Sequence, residues 1–191
     1  MPLPTERRST RQSGAASFTN APDITPNTGV TFATQAAKMV KHIQLTLTGF
    51  VVNIAAADDY GGTKLLDFPD TNIMLMAVEA DMSLVKGEAV GGLVGTTDIT
   101  VAIGTAVASA STLATTMEDV QDAIAYTPTL TTVPHQIHSS ADATLAYPIL
   151  LGDSATLALY FNLAAAITTD DVLTCSGTID LYYVDLGNVT S

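Results

Sequence analysis

The sequence predicts an all-β sandwich, and three features of it do so. Apolar and polar residues alternate with period two over long stretches, most cleanly in residues 42–48 and 172–186, which is the pattern of strands with one buried face. Valine, isoleucine, threonine and aromatic residues fill those stretches, and clusters of Gly, Pro, Asn and Asp separate them. Helical spacing is visible in one short segment, residues 115–124, where Met117, Val120, Ala123 and Ile124 would share a face.

The 191 residues suffice for one domain with an appendage, and 47% of them are hydrophobic, so a sizeable core is available. Only 14% are charged, against roughly 25% in ordinary soluble domains. A surface with so few charges is covered by Ser, Thr and Ala or is buried against partners. The net charge is −12, and it is unevenly spread. Arg7, Arg8 and Arg11 lie near the start, Lys38, Lys41, Lys64 and Lys86 follow, and beyond residue 86 there is no Lys or Arg. An acidic body repels nucleic acid and anionic membranes, so neither is an expected partner. Residues 1–14 lack the apolar core of a secretory signal, and no apolar run approaches the roughly 20 residues of a membrane helix. A protein used without export is expected.

Residues 1–29 read as an arm. Pro2, Pro4, Pro22 and Pro26 are interleaved with Ser, Thr, Asn and Gly, and there is too little apolar surface to offset the entropy of ordering. Phe18 and Ile24 stand out as isolated apolar anchors, and Arg7, Arg8 and Arg11 make a basic tip suited to acidic protein. The arm is expected to be flexible and to act as a tether. Residues 30–191 are expected to form the sandwich.

Residues 30–57 hold the first long strand. Ile43, Leu45 and Leu47 face inward, and His42, Gln44, Thr46 and Thr48 outward. After Gly49 the inward phase passes to Phe50, Val52 and Ile54, which predicts a β-bulge at the glycine. Residues 58–62 read as a turn, 63–68 as a short strand and 72–86 as the second long strand, with Met74 and Met76 as core or interface filler. The glycine-rich residues 87–95 lack the Gly-Lys-Ser/Thr of a phosphate loop. Residues 98–108 form the next strand. Residues 115–124 are expected to be a loop helix, capped by Thr115 or Thr116, with Glu118 and Asp119 near its positive end. A short strand around Val133, His135 and Ile137 follows, and then residues 143–151. Residues 155–163, apolar on both faces, and 172–186, running in alternation, read as a hairpin across the turn at 168–171. Eight or nine strands with long connections suit a jelly-roll or other Greek-key sandwich.

Chemistry-bearing patterns are sparse. His135 and His138, three apart on a strand, point to opposite faces and cannot easily share a metal; His42 is the third histidine. The acidic pairs 58–59, 118–119 and 170–171 lack the ligand alternation of a calcium loop and read as solvated turns. Cys175, the single cysteine, lies in an apolar strand with no basic neighbour and reads as a buried hydrophobe. There is no Gly-x-Ser-x-Gly elbow and no Trp to line a sugar cleft. No catalytic residue, metal site or cofactor is expected, and the protein is read as a non-enzyme.

The segment Leu157-Ala158-Leu159-Tyr160-Phe161-Asn162-Leu163-Ala164, with Asp170-Asp171-Val172-Leu173-Thr174-Cys175-Ser176-Gly177-Thr178-Ile179-Asp180-Leu181-Tyr182-Tyr183-Val184-Asp185-Leu186-Gly187, resembles the closing strands of small jelly-roll proteins that decorate or cement the capsids of tailed bacteriophages. The resemblance is best over the last quarter of the chain. It implies a homotrimer on the capsid exterior, assembled in the host cytoplasm, with the major capsid protein as partner. It also implies that the arm, through Arg7, Arg8, Arg11, Phe18 and Ile24, binds the capsid. A virion spike or fibre head that binds a host receptor, and a lectin-like carbohydrate-binding domain, remain as alternatives.

Overall fold

In the computed structural model the described residues are 25–36, 40–68, 72–86, 92–93, 99–126, 135–139, 147–151 and 157–187. Their strands are β1 (Thr25–Pro26), β2 (Val30–Ala36), β3 (Lys41–Ile54), β4 (Tyr60–Asp67), β5 (Asn72–Lys86), β6 (Ile99–Gly104), β7 (Gln121–Tyr126), β8 (His135–Ser139), β9 (Ile149–Leu150), β10 (Ala158–Ala164) and β11 (Asp171–Gly187). One sheet has five strands in the order β1-β4-β10-β6-β7. The other has six, in the order β2-β3-β11-β5-β8, with β9 also on β5. Every pairing is antiparallel.

The pairings are nested. β3 pairs with β11, β4 with β10, β5 with β8, and β6 with β7. This is one long antiparallel ribbon, and rolling it up adds the contacts β11–β5 and β10–β6. The result is the jelly-roll sandwich that the strand pattern predicts.

The core lies between the sheets. β3 contributes Ile43, Leu45, Leu47, Phe50, Val52 and Ile54, and β11 contributes Leu173, Cys175, Ile179, Leu181 and Tyr183. From the other sheet come Leu65, Leu66, Ile99, Val101, Ile103, Leu159, Phe161 and Leu163. Each such Val, Leu, Ile or Phe, fully buried, stabilises the fold by about 1.5–3 kcal/mol before entropy is subtracted.

The bulge at Gly49 is present. Cys175 is opposite Phe50 and Gly177 is opposite Leu47, so Thr48 and Gly49 together face Ser176. Gly49 has φ +61° and donates its N–H to Ser176 Oγ at 3.2 Å. The extra residue turns Thr48 and Gly49 out to solvent and returns Phe50 to the core.

Three expectations are corrected or refined. Residues 115–124 are not a helix: Thr115–Met117 is a single 3-10 turn, and the chain from Gln121 joins β6 as β7. Its start lacks a side-chain cap, and two and a half isolated turns are marginal. Pairing with β6 satisfies the same backbone groups, and Asp119 accepts the Thr105 N–H and hydroxyl instead of serving a helix start. β10 and β11 are not a hairpin; residues 165–170 carry the chain from one sheet to the other. The short strand expected at 63–68 begins earlier, at Tyr60. At the N-terminal side, Thr25 and Pro26 pair with Asp67 and Leu66, and the Gly29 carbonyl accepts the Thr48 N–H at 3.0 Å.

The glycines of the bulge predict opposite outcomes. A methyl group on Gly49 meets nothing within 4 Å, so Gly49→Ala should cost only the left-handed conformation, about 1–2 kcal/mol. A methyl group on Gly177 would lie 2.2 Å from the Asp81 carbonyl oxygen, at φ +137°. Gly177→Ala should therefore prevent folding or cost several-fold more. Urea denaturation of the two variants checks the contrast.

Candidate functional site

The two sheets differ in what their outer faces meet. On the five-stranded sheet, residues 105–119 lie across the outer face. Asn162, on β10 and fully buried, fixes them there. Its Nδ2 donates to the carbonyls of Ala106 (2.9 Å) and Met117 (2.7 Å), and its Oδ1 accepts the Ala108 N–H (2.8 Å). Asp119 closes the base of the segment through Thr105, at 2.8 Å to the N–H and 2.6 Å to the hydroxyl. Burial raises the Asp119 pKa, and those two bonds oppose the rise. Under the segment Ala102, Ala108, Leu113, Met117 and Ala164 form a second apolar cluster. This cover explains why β10 is apolar on both faces. Val107 is the exposed large hydrophobic residue on it.

On the six-stranded sheet the outward residues of β3, β11 and β5 form a polar field. His42 is in register with Tyr182, Gln44 with Asp180, and Asp180 in turn with Glu79. His42 Nε2 lies 2.6 Å from Asp180 Oδ1, and Gln44 Nε2 donates to the same oxygen at 3.0 Å. The His42 and Tyr182 rings stack at 4.6 Å with 10° between their planes. Desolvation raises the Tyr182 phenol pKa, and the carboxylates of Asp180 and Glu79 raise it further. Glu79 and Asp81 are exposed. Towards one end of the face Leu150, Met74 and Val184 are in register, and Leu150 is 63% exposed.

At the same end Lys41 bonds Asp185 at 2.7 Å and stands 5.9 Å from the centre of the Tyr183 ring. Tyr183 is buried, and desolvation, with a smaller effect of Asp185, pushes its phenol up to about 12.

The field is suited to binding. A histidine oriented by a carboxylate is half of a nucleophilic triad, but the register neighbours of His42 are Gln35 on β2 and Tyr182 on β11, neither an activated nucleophile. His42 and His138 do not meet: β11 and β5 separate their strands, and His138 is in register with Asp81. Among the described residues no group of three or more His, Cys, Asp or Glu could hold a metal ion. Cys175 is fully buried in β11, and desolvation raises its thiol pKa far above the usual range, so it is not a nucleophile.

The capsid-binding residues expected from the sequence, Arg7, Arg8, Arg11, Phe18 and Ile24, lie outside the described residues. The pairing of His42 with Asp180 was invisible in the sequence because 138 residues separate them; the outward phase of both strands was its only trace. No protein-family model matches the chain, and no curated protein is significantly similar to it.

Tyr183 gives the fold an alkaline limit. Its phenol keeps its proton to about pH 12 in the fold but only to about pH 10 in the unfolded chain. Below pH 10 the contribution is fully present. Above it the unfolded chain ionises first, so stability falls as pH rises through about 12. Urea midpoints between about pH 9 and pH 11.5 should fall more steeply in the native protein than in Tyr183→Phe, which has no proton to lose.

Proposed function

We propose that this protein is a non-enzymatic structural component of a virion, a decoration protein that binds the outside of a bacteriophage capsid as a homotrimer and cements it. The observation that carries the reading is a jelly roll closed by β10 and β11, the strands whose sequence resembles capsid-decorating proteins. The charge distribution supports a tether. Arg7, Arg8 and Arg11 precede a body that, from residue 25 onward, has four lysines against seventeen Asp and Glu. On this reading the arginines bond carboxylates of the major capsid protein, and Phe18 and Ile24 seat in apolar depressions beside them. The row Leu150, Met74 and Val184 offers apolar ground for a neighbouring protein.

The test is co-sedimentation with capsids after removal of residues 1–24, which leaves β1 in place. The shortened protein should melt like the full chain and stay in the supernatant. Equal binding by both forms would sink the tether.

One observation favours a second reading, a glycan-binding face. Tyr182 stacks on His42 beside the carboxylates of Asp180 and Glu79 on an open sheet, and sugars bind to aromatic faces flanked by hydrogen-bonding groups. Saturable binding in a glycan screen, lost in Tyr182→Ala, would put this reading in place of the capsid one.

A further inference from the structure

We infer that the outer edge of β2 pairs with itself: a second copy of this chain adds its own β2 antiparallel across a two-fold axis and joins two six-stranded sheets into one. The six-stranded sheet ends at β2, which pairs with β3 from Val30 opposite Leu47 to Ala36 opposite Lys41 without a break in register. Among the described residues no strand lies on its other side. Such an edge presents a row of backbone donors and acceptors, and proteins ordinarily blunt it with brevity, proline, charge or a bulge.

The other three sheet edges are blunted in those ways. β1 is two residues long and contains Pro26, which has no N–H. β7 breaks register against β6 between Val101 and Ile103 and carries Asp122. β8 is five residues long and includes His135 and His138. β2 has seven residues, unbroken register, and no Pro, Gly or ionisable group.

Charge identifies the occupant. Two copies of a chain of net charge −12 repel each other over most of their surfaces, but residues 24–37 contain no ionisable side chain. Here a second acidic copy can approach without setting like charges opposite each other. An antiparallel two-fold contact is self-complementary by symmetry. Full overlap of the seven residues sets Ala33 against the partner's Ala33, Thr31 against the partner's Gln35, and Phe32 against the partner's Thr34. The contact does not depend on the capsid reading. In a shell of three-fold assemblies it would lie between neighbouring trimers.

The single native cysteine is buried, so a thiol introduced by Ala33→Cys in the full-length protein reports on the pairing. Light scattering should give the native protein an even multiple of its 19.8 kDa chain mass. Under mild oxidation Ala33→Cys should form a disulfide-linked dimer about tenfold or more faster than Val107→Cys, because pairing holds the two thiols at high effective concentration. Ala33→Asp, which opposes two carboxylates on the axis, should halve the mass and leave the circular dichroism unchanged. If Ala33→Cys does not fold, Thr31→Cys mixed with Gln35→Cys should cross-link where neither does alone. A native protein that is monomeric or trimeric, equal cross-linking of Ala33→Cys and Val107→Cys, or an unchanged mass in Ala33→Asp would overturn the inference.

Discussion

Pairing of β11 on both of its edges is the constraint on which the sandwich depends. Residues 171–183 bond β3 on one side and residues 173–187 bond β5 on the other. One strand thereby fixes the register of the two longest others. A slip of one residue would turn Ile179 and Leu181 out to solvent and bring Asp180 and Tyr182 into the core. The sheet also sets the demands on its irregular points. Ser176 must face two residues of β3, and β5 passes so close to Gly177 that there is no room for a side chain.

The same geometry separates closed from open surface. The outer face of the five-stranded sheet is occupied by residues 105–119, held by a buried amide whose three hydrogen bonds all go to backbone. Leaving such groups unpaired costs about 1–3 kcal/mol each, so the cover is part of the fold. The outer face of the six-stranded sheet keeps its carboxylates, its stacked rings and its apolar row accessible. Both proposed readings, capsid and glycan, would use that face.

Much of this was legible in the residues. β3 and β11, and β5 from Glu79 onward, bury one face and leave the other polar, so period two located them, and the phase change at Gly49 predicted the bulge. β7 was misread because Met117, Val120 and Ile124 fit a helical stripe, whereas what decides the segment is the vacant edge of β6, which no local pattern records. β10 and β11 looked like a hairpin because they are neighbours in sequence. The apolar character of β10 on both faces was the sign that it sat between a core and a cover. His42 and Asp180 each showed as outward positions, and only the long-range register brings them to 2.6 Å. Arg7, Arg8, Arg11, Phe18 and Ile24 stand out by composition and charge alone, and they lie outside the described residues.

The nested pairing has a consequence for how the chain reaches its fold. The β6–β7 ribbon closes within a few dozen residues, while β3 meets β11 across more than a hundred. Loop-closure entropy and high contact order make the outer pairings slow. Until β11 has been synthesised, β3 and β5 each present a long edge with no neighbour between them, and such edges recruit one another between chains. The strand that completes the sheet also ends that exposure, so the interval before it arrives is when the protein is most open to misassembly.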